Sequence, residues 1–335
     1  MNNVSIGDMA QSYSFRRQSA QLKMTMDRLG NELTTGRTSD VAKQFSGDFT
    51  MVSEIETALN SLNSYKTAAK EAAQFATAQQ TSLGVMQEQS NAAVSALLLT
   101  STASSQTQIQ NTAIDVRQKF DAVVSALNTQ VGGRSVFAGA ATDKPAIASS
   151  STILADLQVV ISGQTTAAGV ASAVDDWFNL PGGYDVSGYL GSISPLSPFK
   201  IGMGQNADMS LTAADTTVRE TLKNLSLASL VADGALAGDV SEQALLLKRA
   251  GDGMLLIGSK QTEMRASIGA VEAQVEIVSV QTASEISGLE IARTELLSVD
   301  PYKAASELEA VKTQLETLYA LTSRMSRMNL VDFLR

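Results

Sequence analysis

The chain has 335 residues, of which 44% are hydrophobic and only 5% aromatic, and its formal net charge is −9. With 0 cysteines and 0 histidines it can form no disulfide framework, no Cys/His metal site and no Ser-His-Asp or Cys-His catalytic group. The usual general base near neutral pH is also missing, so a non-enzymatic chain without a cofactor is expected. An acidic chain is drawn neither to nucleic acid nor to an anionic membrane.

Alanine supplies much of the hydrophobic share. It buries little area per residue and suits long, closely packed helices, which the mere 5 prolines leave uninterrupted. The opening MNNVSIGDMAQSYSFRRQSAQ has no positive segment followed by an apolar one, so no cleaved signal peptide is read there. Apolar runs such as Ala96–Leu99 fall far short of a membrane span. Arg16, Arg17, Lys23, Arg28 and Arg37 are interleaved with Asp27, Glu32 and Asp40, the pattern of a solvated helix face.

In chain order, Phe15, Leu22, Met26, Leu29 and Leu33 mark one face of a helix that stops at Thr35-Gly36. A connector, Arg37–Gly47, leads to Asp48, which caps a helix predicted from Phe49 to Thr100. The next helix begins near Ser104, carries Ile109, Ala113, Val116, Phe120, Val123 and Leu127, and ends before Gly132-Gly133. From Ser135 to Leu211 the chain turns rich in Gly, Ser, Thr and Pro and holds Trp177, Phe178, Tyr184, Tyr189 and Phe199. Leu157–Ser162 and Tyr184–Leu190 read there as short strands. Asp175-Asp176 reads as a loop or helix start, since adjacent carboxylates diverge too far to act on one bond. Gly202-Met203-Gly204 reads as a turn.

Helical sequence returns over Thr216–Ala232. A sustained alternation of three and four follows: Ile257, Gln261, Met264, Ile268, Val271, Val275, Val278, Thr282, Glu285, Leu289, Ala292 and Leu296. It predicts one helix over Ser241–Ser298, with Glu285 breaking the seam beside Ile286. Asp300-Pro301 supplies a cap and a first turn. Leu308, Val311, Leu315, Leu318, Thr322 and Met325 then carry a final helix to about Met328, with Asn329–Arg335 as a frayed tail.

The expected fold is mainly α: an elongated, coiled-coil-like bundle formed by the two flanks, with a small β-containing insert. Its segments are 1–47 (helix and connector), 48–137 (first half of a helical rod), 138–211 (insert), 212–299 (second half of the rod) and 300–335 (closing helix). Pairing the flanks buries both sets of stripes and puts the chain ends together at one tip, away from the insert.

Leu33-Thr34-Thr35-Gly36-Arg37 after an amphipathic helix resembles the N-terminal motif of the flagellin family. Gly133-Arg134-Ser135-Val136-Phe137-Ala138-Gly139-Ala140, then Thr142-Asp143-Lys144-Pro145, looks like the hairpin of the hook–filament junction proteins of that family. Met325-Ser326-Arg327-Met328-Asn329-Leu330 resembles the family's terminal helix, and Phe333-Leu334-Arg335 is closer to a flagellin ending. The run Thr38-Ser39-Asp40-Val41-Ala42-Lys43 departs from the family's Asn-Pro and acidic pair.

The resemblance implies a secreted flagellar subunit exported by the type III route without a cleaved signal. Its implied partners are the other hook-associated junction protein, flagellin, and an export chaperone bound to the C-terminal region. The seams imply packing against neighbouring copies through Phe15, Leu22, Met26, Leu29 and Leu33, facing Leu308, Val311, Leu315, Leu318 and Met325. Met1–Gly36 and Pro301–Arg335 are expected to be disordered or frayed in the free monomer. Flagellin itself is the alternative within the family, and a cytoplasmic signalling helix bundle a remote one that has no use for an insert.

Overall fold

The computed structural model describes residues 6–45, 47–100 and 105–333. The helices are α1 (Ile6–Thr35), α2 (Val41–Gln44), α3 (Thr50–Thr100), α4 (Gln106–Leu127), α5 (Ser150–Val160), α6 (Ala167–Asn179), α7 (Thr216–Ala232), α8 (Val240–Leu296) and α9 (Pro301–Phe333). The strands form two hairpins, β1 (Gln130–Val131) with β2 (Arg134–Ser135) and β3 (Phe199–Gly202) with β4 (Gln205–Ala207). The fold is therefore mainly α with a small β-containing region. Two compact units are distinct, Met1–Ser61 with Ser284–Arg335, and Leu62–Ala283.

Local chemistry sets the helix ends. Asp48 Oδ1 accepts from the Thr50 amide at 3.0 Å and starts α3. Asp215 accepts from the Thr217 amide at 2.8 Å and starts α7. Asp300 Oδ1 accepts from the amides of Tyr302 and Lys303 at 2.9 and 3.3 Å and starts α9. Gly36 closes α1 in the left-handed region, φ +68°, with its amide donated to Glu32 O at 2.8 Å. The closing helix α9 continues past Met328 to Phe333, where a frayed tail was expected; residues 334–335 lie outside the description, as do residues 101–104 before α4.

In the unit Leu62–Ala283, α3 and α8 run antiparallel. Gln80 Nε2 donates to Arg265 O at 2.6 Å, Gln87 Nε2 to Thr262 Oγ1 at 3.0 Å, and Gln261 Nε2 to Ser90 Oγ at 3.1 Å. The α8 seam is buried at Ile257, Gln261, Met264, Ile268, Val275, Val278 and Thr282, and Ile286 replaces the exposed Glu285. Its counterpart on α3 reads Ala69, Ala72, Ala76, Gln79, Leu83, Met86, Ser90, Ala93 and Leu97, all buried and spaced three and four apart. A hydrophobicity reading misses that seam, because six of those nine residues are alanine or polar. Gln261 is satisfied by Ser90 and by Thr221 Oγ1 at 2.9 Å, so the polar layer joins α3, α7 and α8.

The region from Ser135 to Leu211 is more helical than its composition suggests. Leu157–Ser162 is the end of α5, not a strand, because Ser149 caps α5 and Ile153, Leu154 and Leu157 share its buried face. Tyr184–Gly188 is one turn of π-helix, and only Tyr189 makes a β-bridge, to Ile147. Asp175 and Asp176 lie in the last turns of α6 rather than in a loop or at its start. Asp175 accepts from Lys223 Nζ at 2.6 Å and ties α6 to α7. The aromatic residues gather here: Trp177, Phe178, Tyr184 and Tyr189 have ring centroids 4.8 to 6.4 Å apart. The Arg219 guanidinium lies 5.3 Å from the Tyr184 ring centroid. Gly202-Met203-Gly204 is the turn of the second hairpin, with Gly204 at φ +72°.

Candidate assembly site at the paired terminal helices

The residues expected to form an interface sit on α1 and α9, which pack along each other in the unit Met1–Ser61 with Ser284–Arg335. Leu29, Leu315 and Leu318 are buried. Phe15, Leu22, Met26, Leu308, Val311 and Met325 are half-buried. Leu33 departs from the pattern and is 39% exposed.

Glu32 takes the inward place that Leu33 leaves and is 4% exposed. Its carboxylate accepts from Arg28 Nη1 at 2.9 Å through both oxygens, and Oε1 also accepts from the Ser39 amide at 2.9 Å. A buried carboxylate is tolerable when paired and hydrogen-bonded in this way. Counting Glu32 among solvated charges hid its role. The i, i+4 spacing from Arg28 was the available signal.

The two connectors meet beyond these helices. The Thr38 amide donates to Leu297 O at 2.9 Å, and the Val299 amide to Gly36 O at 3.0 Å, on either side of an antiparallel bridge between Arg37 and Ser298. Gln44 Nε2 adds a bond to Leu296 O at 2.8 Å. Beside this node lies a groove of ≈ 390 Å³ walled by charged groups, among them Arg28, Glu32, Asp40, Lys303 and Glu307. Farther along the pair, Lys23 stands 5.9 Å from the Tyr319 ring centroid. Hydrogen bonds from Lys23 and Ser19 hold the Tyr319 hydroxyl below the ordinary tyrosine range.

Two helices alone cannot cover the apolar residues they carry. Met9, Tyr13 and Met24 on α1 and Tyr302 and Leu321 on α9 remain exposed, between 46% and 87%. The arrangement suits association with further helices. Among the described residues no group of three or more acidic side chains could hold a metal ion, and no helix is long and apolar enough to cross a membrane.

Residues 259–334, the second part of α8 and the whole of α9, match the family described as the bacterial flagellin C-terminal helical region. The fold is shared with a protein from Vibrio parahaemolyticus provisionally named a flagellar hook-associated protein. The two are 13% identical, the match covers 75% of this chain and 99% of that one, and the TM-score is 0.54. No curated protein matches the chain by sequence.

Proposed function

We propose that this chain is a structural subunit of the bacterial flagellum, a flagellin-family protein that joins hook to filament and catalyses no reaction. One observation carries the reading. The two chain ends form a single helix pair, and the closing helix of that pair falls within the segment that matches the flagellin C-terminal region. The shared fold with a protein named for the hook supports the junction over the filament, whereas the C-terminal match is to flagellins.

In this role α1 and α9 act as an assembly module. Leu22, Met26, Leu308 and Val311, half-buried in the pair, complete their burial against neighbouring copies, and Phe15 and Met325 do the same nearer the ends. The subunit leaves the cell by the flagellar type III route without a cleaved signal. A chaperone covers the C-terminal region before export, and the other junction protein and flagellin are the neighbours after it. In the free subunit both terminal helices fray, so their amides exchange fast. Strong protection of residues 6–35 and 301–333 in the isolated chain overturns that part of the reading.

Deleting the chain from its own cells tests the whole. Flagellin released into the medium from cells with intact hooks is the expected result. Intact hooks and junctions with no filament protein identify the chain as flagellin instead. Unchanged flagella and motility overturn any flagellar role.

A further inference from the structure

With 0 cysteines, the 12 methionines hold all of the chain's sulfur. Their burial follows the division into two units. In Leu62–Ala283, Met86, Met209, Met254 and Met264 are core residues no more than 8% exposed, and only Met203, in the turn of the second hairpin, faces solvent. In Met1–Ser61 with Ser284–Arg335 the order is reversed among the described side chains. Met9, Met24 and Met51 are 60 to 65% exposed, and Met26 and Met325 are half-buried. Helix α1 puts two of the exposed sulfurs on one stripe. Met9, Tyr13, Ala20 and Met24, all exposed, recur at intervals of four, seven and four on the side opposite Phe15, Leu22 and Leu29.

We infer that Met9 and Met24 are sites of reversible oxidation by small hydroperoxides, and that their oxidation blocks assembly of the subunit while leaving its fold intact. This rests on the reading of α1 and α9 as the assembly module. In the reaction a lone pair on the thioether sulfur attacks one peroxide oxygen. The S–O bond forms as the O–O bond breaks, and the other oxygen takes up the proton and leaves as water or, from an alkyl hydroperoxide, as the alcohol. The sulfur loses two electrons and the peroxide gains them. Access to the sulfur is the only demand the step makes on the protein, and Met9 and Met24 meet it where the core methionines do not.

The product decides the effect. A thioether is flexible and apolar and adapts to an irregular partner surface, whereas its sulfoxide is polar and chiral. On an exposed stripe the sulfoxide stays hydrated, so the free subunit keeps its buried seams and its stability. Once a neighbouring helix covers the stripe, the sulfoxide oxygen loses water and meets apolar side chains that offer no donor. Each sulfoxide buried in that way weakens association roughly tenfold. The same contact shields the thioethers of subunits already in place, so the modification acts on those not yet incorporated. Methionine sulfoxide reductases, one for each epimer, return the thioether and lift the block.

The full-length chain is treated briefly with dilute hydrogen peroxide, and the modified positions are read by peptide mass spectrometry. Met9, Met24, Met51 and Met203 are expected to oxidise first, and Met86, Met209, Met254 and Met264 last. The oxidised chain should keep its thermal unfolding midpoint yet need about a hundredfold more protein to assemble, the product of two sulfoxides. Treatment with the two reductases should restore the original threshold. A Met9→Leu, Met24→Leu double variant should assemble like the parent and stay competent after peroxide, whereas a Met51→Leu, Met203→Leu variant should lose assembly as the parent does. Oxidation that spares Met9 and Met24, assembly indifferent to their sulfoxides, or equal loss in the first double variant overturns the inference and leaves the structural role standing. Failure of the untreated chain to assemble at all overturns the self-assembly reading, and the inference with it.

Discussion

Gly139 shows how one residue joins sequence motif to structure. It sits at φ +60°, and a Cβ there would lie 2.5 Å from Ser192 O and 2.6 Å from Ser194 O. Those approaches exist because the Ala140 amide donates to Ser194 O at 3.0 Å and the Ser192 amide to Ala138 O at 2.8 Å. The Ala-Gly-Ala run that resembles the junction-protein hairpin is thus a backbone seat for residues 192–194. Gly139→Ala should cost about 1–2 kcal/mol from the left-handed backbone alone, with more from the two carbonyls. Urea denaturation checks it, and a change within error refutes the seat. Tyr184 makes a second residue-scale prediction. Burial pushes its hydroxyl well above the ordinary tyrosine value, and the group donates to Ala213 O at 2.8 Å. The folded state therefore holds this proton more tightly than the unfolded chain does. Its contribution is complete below about pH 10, the unfolded value, and is lost as pH rises beyond it. Stability measured between neutral pH and pH 11 should fall less steeply in Tyr184→Phe than in the parent.

At the scale of elements, what could be read in advance depended on how each helix advertises its buried side. Helix α8 uses Ile, Val and Met at steady intervals, and its bounds came within two residues of those seen. Helix α7, started by an aspartate cap, matched its expected span. The α3 seam is written in alanine, glutamine and serine, so only its spacing betrays it. The middle of the chain misled because glycine and serine there sit between short helices rather than between strands. Leu157–Ser162 failed for a related reason: a short apolar run has no period to separate strand from helix end. At the candidate site the burial of Leu29, Leu315 and Leu318 was legible, while Leu33 was misplaced and Glu32 missed, since only the fold supplies the Ser39 amide that justifies its burial. The two faces of α8 predict contrasting mutants. Ile268→Ala in the buried seam should cost about 2–5 kcal/mol. Ile277→Ala, on the exposed face, should leave monomer stability within about 0.5 kcal/mol. Thermal unfolding of both variants checks the assignment, and equal losses contradict it.

For the whole molecule, the core itself marks the division into two units. One continuous cluster runs from Ala69 to Val278 and gathers the insert's Ile147, Ile153, Trp177 and Tyr184 with the seams of α3, α4, α7 and α8. The other unit has fewer buried apolar groups, among them Leu29, Leu59, Ile286, Ala304, Leu315 and Leu318. Less burial means a smaller free energy of local opening. Limited proteolysis of the free chain should therefore cut first within 6–61 and 284–333 and leave a resistant core inside 62–283. A first cut inside 62–283 would contradict this.

The bridge between Arg37 and Ser298 also has a bearing on timing. Its halves belong to a unit interrupted by all the residues from Leu62 to Ala283. A chain delivered from its first residue onward presents α1 long before its partner exists. The intervening core can complete itself while α1 waits, and the final latch closes only once the last helix has come free. Such a chain leaves its first helix without its partner until the last helix has emerged.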